Sequence, residues 1–503
     1  MEDKILYLAI FVLTSFFLLL ASRKLSLKRQ KNLPPTPLSL PIVGHLHLIR
    51  LPLHQSLNRL SQKYGSIFYL RFGSQKILVI SSPSAVEECL VKNDVIFANR
   101  PPFTLSKYIS YNNTTLSTTF YGDHWRNLRR IGIIEVLSSN RLNYFSSIRR
   151  DEVTIFLKKL YNRSSNGLAK LVLRPMLKEL TLNIIIRMIA GKRYYREEMT
   201  GKEKEEAEEF KEMVEEIFKY AGASYIGDFL PILKWIDYGG TLKRMKILGE
   251  RTDKIWQGII DEHREKELKN TMISHLLSLQ QSEPEYYTDE VIKGLMLDFV
   301  VAASESSAIT IEWVMSNLLN HPQVMEKAKK ELSTKLDDQE NLIYESDLSK
   351  LPYLQNIITE TLRLHPAGPL LIPHFSSTHC KVGGYNIEPN TWLLVNAWTI
   401  HRDPMLWENA AQFKPERFEN RSSEGYKFLG FGLGRRSCPG MGLANRVVGS
   451  TLASMVQCFE WGKTSDQQID MSEGVGLTMP KAQPLEVMCK PRDIMTKVLS
   501  SSA

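Results

Sequence analysis

Only five of the 503 residues are cysteine, and Cys89, Cys380, Cys438, Cys458 and Cys489 are scattered along the chain. No two have the spacing of two to four residues that a structural zinc site uses, so the zinc-finger class is excluded. Odd in number and far apart, they read as reduced thiols facing the cytosol and not as a disulfide framework. Internal repeats, low-complexity tracts and long basic runs are also missing. The net charge of +9 and the pI near 9.0 therefore do not indicate nucleic acid. They point to a membrane surface or an acidic protein partner. Hydrophobic residues make up 43% of the chain, enough for a real core, which excludes global disorder.

What the chain does have begins with one apolar run, Ile5 to Ala21, close to the roughly 20 residues of a bilayer-spanning helix. Glu2 and Asp3 precede a single Lys4 and no Ala-x-Ala follows, so the run does not resemble a cleaved signal. Arg23, Lys24, Lys28, Arg29 and Lys31 come next, which puts the N-terminus in the lumen and the remaining chain in the cytosol. Residues 1–22 are thus expected to be a signal anchor. Residues 23–41, basic and then proline-rich (Leu33-Pro34-Pro35-Thr36-Pro37, with Pro41), are expected to be a stiff hinge. Residues 42–503 are expected to be one catalytic domain.

Within that domain, Ile67–Phe72 and Ile77–Ile80 flank Gly73-Ser74 as a β-hairpin, and further short strands are expected around Pro373–Val395. Helical spacing dominates elsewhere. Phe210, Met213, Val214, Ile217 and Phe218 fall on one helix face, preceded by the charged, solvated run Gly201–Glu209. Trp125 and Arg129, four apart, share a helix face. Thr288 is placed to cap a long helix that runs to about Asn320 before His321-Pro322. Its middle, Leu297–Ala308, mixes apolar with small and hydroxylated residues, and serines there bond back to carbonyls one turn earlier.

The stretch Phe431-Gly432-Leu433-Gly434-Arg435-Arg436-Ser437-Cys438-Pro439-Gly440 sets a cysteine in a glycine-rich loop ahead of a proline-free apolar segment, Met441–Trp461. If that segment is a buried helix, Cys438 lies at or next to its N-cap with Pro439 in the first turn, where the dipole favours a thiolate. Such a thiolate can be a nucleophile, a metal ligand or the axial ligand of a haem. Zinc lacks further ligands nearby, the nearest cysteine being Cys458, whereas a nucleophile would need a histidine base, which the sequence alone does not exclude. A haem explains more of the loop. Phe431 covers the ring, Gly434 allows the turn, Arg436 pairs with a propionate, and Gly440 lets backbone approach a flat macrocycle.

This Phe-x-x-Gly-x-Arg-x-Cys-x-Gly pattern resembles the haem-binding signature of the cytochrome P-450 superfamily. Ala302-Ala303-Ser304-Glu305-Ser306-Ser307 resembles its oxygen-activation motif, Ala/Gly-Gly-x-Asp/Glu-Thr-Thr/Ser, with Ala303 in place of glycine and Ser306 in place of threonine. Glu360 and Arg363, with Arg417 in Pro415-Glu416-Arg417-Phe418, resemble its structural triad. Ser224–Pro231, Ile311–Pro322 and Ile400–Pro404 look like plant A-type enzymes and are similar to the eighty-first plant family.

The resemblance implies the P-450 fold, mainly α with small β-sheets, with haem b between the long distal helix and the Cys-loop helix. It implies Cys438 as the iron ligand, propionate contacts from Trp125, Arg129, His374 and Arg436, and Glu305 with Ser306 as the acid and alcohol that deliver protons. It places Phe299, Ala302, Ala303, Leu370, Leu371, Phe375 and Thr478 at the substrate pocket. Phe375 departs from an acid often found there in plant relatives. Electrons would come from NADPH through a cytochrome P-450 reductase docked on basic residues at the endoplasmic reticulum membrane, with O2 as co-substrate. The implied reaction inserts one oxygen atom into a bulky apolar plant metabolite (phenylpropanoid, isoflavonoid, lignan or triterpenoid), by hydroxylation or methylenedioxy-bridge closure. Two alternatives stand beside it. A thiolate-haem isomerase or dehydratase would need no reductase and no Glu305–Ser306 relay. A non-catalytic haem-bearing membrane scaffold would not need Cys438, Glu360 and Arg363 intact.

Overall fold

In Ile67–Phe72 every second side chain is buried, so Phe68, Leu70 and Phe72 face the core from one side of a strand. The computed structural model describes residues 32–165, 167–196, 199–222, 225–335, 342–419 and 425–500. Among them are nine strands: β1 (Ile67–Phe72), β2 (Gln75–Ile80), β3 (Ala169–Val172), β4 (His374–Phe375), β5 (Cys380–Val382), β6 (Tyr385–Ile387), β7 (Thr391–Val395), β8 (Phe459–Gly462) and β9 (Glu486–Pro491). β1 and β2 form the expected hairpin, from Ile67 opposite Ile80 to Phe72 opposite Gln75. Gly73 turns it at φ +55°, and a Cβ there would fall 2.0 Å from the Phe229 carbonyl oxygen. β2 also pairs in parallel with β7, which pairs with β4, giving the order β1-β2-β7-β4. β5 and β6 make a separate hairpin.

Helices make up most of the rest. Gly201–Gly222 buries Phe210, Met213, Val214 and Ile217 and turns most of its charged start to solvent, as its spacing predicts. The central element is Asp289–Asn320. Thr288 Oγ1 accepts from the Val291 N–H at 3.3 Å, Asp289 and Glu290 lie in the first turn, and the chain leaves the helical region at His321 ahead of Pro322. Among the described residues it is the one helix long and apolar enough to cross a membrane, yet it is buried in the body as the core. It packs chiefly on Leu173–Ala190 and also on Met441–Cys458. Ser304 Oγ and Ser306 Oγ bond back to the carbonyls of Val300 and Ala302 at 2.7 and 2.8 Å.

Three findings differ from, or lie beyond, the sequence reading. The helix after the cysteine stops at Cys458, because Phe459–Gly462 turns extended and pairs with β9; Trp461 is a strand residue. The helix cap is Gly440, which leaves both Cys438 and Pro439 in the loop before the first turn. The sheet β3-β9-β8 is an addition that local pattern does not announce. The proposed anchor and the basic part of the hinge, up to Lys31, lie outside the described residues. The hinge prolines that are described lie against the body: Pro34 and Pro37 are buried, and the Tyr69 N–H of β1 donates to the Pro35 carbonyl at 2.8 Å.

Candidate active site

The cysteine loop is shaped by backbone. Cys438 N–H donates to the Phe431 carbonyl at 2.9 Å and Ser437 N–H to Gly434 at 3.0 Å. Gly434 has φ +72°, and a Cβ there would sit 2.4 Å from the Leu90 carbonyl oxygen, so only glycine fits. Asp94 accepts from the Arg435 N–H and pairs with its side chain, pinning the loop to a distant segment. Cys438 is an exposed free thiol. Its surroundings push the thiol up through desolvation, while the N–H groups of Gly440 and Met441 and the Arg129 guanidinium pull it back. The helix start thus does favour the thiolate, but the desolvation is larger. A Cβ at Gly440 would stand 3.8 Å from Cys438 Sγ, so this glycine keeps one side of the sulfur clear.

Around the sulfur is a set of cations short of anions. Among the described residues Arg129 has no hydrogen-bond or ion-pair partner, and burial lowers its pKa. Trp125 Nε1 is buried without an acceptor. Arg436 donates to the carbonyls of Ala98, Leu116 (3.0 Å) and Thr119, leaving two of its five N–H groups. Burial and the Arg129 charge bring it down to about 9. Arg100, which the sequence reading missed, donates to the carbonyls of Ile372 and Pro373 and leaves Nε buried without a partner. Burial and Arg436 hold its pKa well below the usual arginine range. His374 donates Nδ1–H to the Phe97 carbonyl at 2.9 Å and is kept neutral by burial and by Arg100. Like charges that depress one another, beside an orphaned indole N–H, are a receptor for carboxylates. The two propionates of haem b fit that chemistry, and Cys438 fits its iron.

The long helix supplies the opposite side. Ala302 lies midway along the helix between buried stretches, 292–297 and 307–319, and is exposed, which marks an internal cleft; Ala303 and Ser306 are half-buried beside it. Phe299 is buried next to Leu116 and Gly132. Glu305 and Ser306, adjacent in sequence, do not touch in the described hydrogen bonds. Glu305 is held by Lys178 Nζ at 3.1 Å and by Thr478 Oγ1 at 2.7 Å, and Ser306 by the Ala302 carbonyl. Thr478 therefore meets the acid itself. Leu370 and Phe375 pack with Phe103 and Trp392 on one side of the large sheet, and Phe375 lies parallel to Phe120 at 6.3 Å. Leu371 does not join them: at φ +54° it is half-buried and packs against the neighbouring apolar cluster that contains Leu78, Ile80 and Val395.

Glu360 and Arg363 are fully buried on the helix Pro352–Leu364 and pair at 2.7 and 2.8 Å. Arg417 Nε reaches Glu360 at 3.0 Å, and Arg363 also donates to the carbonyls of His401, Ala410 and Gln412. His401 passes the network on. Its Nδ1–H donates to the Arg363 carbonyl at 3.0 Å, and Nε2 accepts from the Leu429 N–H at 2.8 Å, two residues before Phe431.

Asp298, one turn before Ala302, accepts from Ser117 N–H at 2.9 Å and from the hydroxyls of Ser117 and Thr115, latching the loop that Arg436 holds from the other side. Burial raises this carboxyl to about 6. A carboxyl raised in the folded state binds its proton more tightly there than in the unfolded chain. Its contribution to stability therefore falls as pH rises from about 4 to about 6 and is flat above. Relative to the parent, Asp298→Asn should gain stability between pH 4.5 and 7, by at most about 3 kcal/mol. Urea-unfolding midpoints at the two pH values measure the change, and a parent–variant difference independent of pH contradicts it.

Comparison with known proteins agrees with this geometry. The family model described as Cytochrome P450 matches residues 34–486. "Cytochrome P450 81E8" of Medicago truncatula is 52% identical, covering 96% of this chain and 97% of its own. "Isoflavone 3'-hydroxylase" of Medicago truncatula is 51% identical over 94% and 96%. "(+)-piperitol/(+)-sesamin synthase CYP81Q2" of Sesamum radiatum is 48% identical over 99% of each. A zebra fish cytochrome P450 structure with abiraterone superposes with a TM-score of 0.74 at 24% identity, covering 88% of this chain and 100% of that one, and so shares the fold. Relatives this similar over nearly the whole of both chains leave one assignment for the thiol loop and its cations: the chain belongs to the cytochrome P450 family of oxidoreductases.

Proposed function

We propose that this protein is a membrane-anchored haem-thiolate monooxygenase that inserts one oxygen atom from O2 into a bulky, largely apolar plant metabolite. The observation that carries the reading is Cys438 beside Arg100, Arg129, Arg436 and Trp125, a thiol and a carboxylate receptor in one cleft. When bound there, haem supplies the iron at which dioxygen is reduced and cleaved. The chain's residues do the rest. Cys438 donates thiolate density, the cations neutralise the propionates, and Glu305 and Ser306 move protons into the cleft once freed from their present partners. Electrons come from NADPH through a cytochrome P450 reductase. The relatives named isoflavone hydroxylase and sesamin synthase support an isoflavone-like or lignan-like substrate, with hydroxylation or methylenedioxy closure as the outcome. Leu38 and Ile42, directly after the hinge prolines, are exposed apolar side chains, which suits a body seated against the endoplasmic reticulum membrane.

The test is reconstitution of the full chain with reductase and a panel of isoflavones, lignans and triterpenoids. NADPH-dependent oxygen uptake with an oxygenated product supports the reading; rearrangement or dehydration of a hydroperoxide without NADPH replaces it. Ser306 carries a further expectation. Serine lacks the methyl that restricts threonine rotamers, and its proton lies on Ala302 at 2.8 Å. Ser306→Thr should lower the peroxide released per NADPH oxidised, and equal release in variant and parent counts against it.

A further inference from the structure

The loop Gly474–Pro480 closes on itself through Gly474 N–H to the Pro480 carbonyl at 2.7 Å. It is fixed at Met479. The Met479 N–H donates to Ala367 at 3.0 Å, and its carbonyl accepts from Trp313 Nε1 of the long helix at 2.8 Å. Val475 and Leu477 at its tip are exposed. Thr478, between the free tip and the fixed point, sends its hydroxyl across 173 positions of sequence to Glu305 at 2.7 Å. The other carboxylate oxygen meets Lys178, whose side chain is 44% exposed and whose pull is screened by solvent. Thr478 is thus the anchor that does not depend on a solvated charge. Ser306 meanwhile points at Ala302, so acid and alcohol stay apart while both anchors hold.

We propose that Thr478 is a positioning residue that restrains idle turnover. It keeps the Glu305 carboxylate turned from Ser306 until loop Gly474–Pro480 moves, which makes proton delivery depend on what fills the space between the loop, the long helix and the segment after Ala367. The role rests on the monooxygenase reading above. In idle turnover NADPH + H+ + O2 give NADP+ + H2O2, so electrons that reach no product are counted as peroxide. With reductase and no added organic substrate, Thr478→Val should raise NADPH oxidation and peroxide together by about tenfold, the shift expected from losing one hydrogen bond to a charged group. Thr478→Ser, which keeps the hydroxyl but loses the methyl that restricts its rotamers, should leak less than Thr478→Val. In a Glu305→Gln background the Thr478→Val increase should vanish, because the threonine acts through that carboxylate. Hydrogen exchange of the peptide spanning residues 471–483, which needs no turnover, should quicken more in the valine variant than in the serine variant.

Faster exchange with unchanged peroxide makes the tether merely structural and overturns the proposal. So does leakage in Thr478→Ser equal to that in Thr478→Val, or an increase that persists beside Glu305→Gln. A parent that draws no NADPH from the reductase even with the substrate panel present overturns the functional reading and this role with it. The exchange data would still say whether the tether exists, which separates the two failures.

Discussion

Cys438→Ser is expected to abolish oxygenation completely while leaving a folded protein. The sulfur faces the Gly440 and Met441 N–H groups at the helix start, and the fold of the loop does not rest on it. The backbone holds the loop, through Cys438 N–H to Phe431, Ser437 N–H to Gly434 and the Asp94 clasp on Arg435. Serine can keep all of these. What it cannot supply is a polarisable thiolate, the ligand that favours O–O cleavage at a haem iron. The ferrous carbon-monoxide spectrum should lose the long-wavelength Soret band that marks thiolate ligation, with far-ultraviolet circular dichroism as in the parent. Retention of that band in the serine variant would refute Cys438 as the ligand.

The second large effect is expected at Arg363. Arg363→Leu strands Glu360 in a fully buried place and removes donors from the carbonyls of His401, Ala410 and Gln412. Arg417 Nε and the Lys414 N–H still reach Glu360 Oε1, at 3.0 and 2.8 Å, so one oxygen keeps partners and the other loses its own. Breaking a buried pair by removing one member costs about 3–5 kcal/mol. The whole chain has roughly 5–15 kcal/mol to lose. The expected outcome is little or no soluble haem-loaded protein. Lysine should not restore it, since one ammonium cannot serve a carboxylate and three carbonyls in a fixed fork. Yield and the carbon-monoxide spectrum together measure this. Normal haem content in Arg363→Leu would mean that the network does not support the cysteine loop.

The parts legible in the sequence are those written locally. Gly434 and its neighbours announce the loop, Thr288 and Pro322 bracket the long helix, and Gly73-Ser74 marks the hairpin, because each depends on residues a few positions apart. The sheet β3-β9-β8 was not legible, since it joins Ala169–Val172 to strands near the other end of the chain. Trp461 fits an apolar helix as well as a strand, and only β9 decides between them. At the site, the cysteine and the acid–alcohol pair are visible as types in order. Their partners are not, because Lys178, Thr478, Arg100 and Asp94 arrive from unrelated segments. Leu371 shows the limit most plainly. An apolar run predicts a pocket wall, but a left-handed backbone turns one of its residues the other way.

The two clasps on the cysteine loop differ in a way that matters while the chain is being made. His401 ties the Leu429 side to Arg363 across separations of 28 and 38 residues, whereas Arg435 meets Asp94 across 341. By loop-closure entropy the longer contact costs about 2 kcal/mol more than the shorter ones. Asp94 leaves the ribosome early and waits for a partner translated near the end, while the His401 side can assemble within one stretch of newly emerged chain. With Cys438 as the proposed haem ligand, cofactor capture would be a late event in biosynthesis: a nascent chain stopped just before it carries Arg100, Arg129 and Arg436 but not the thiol.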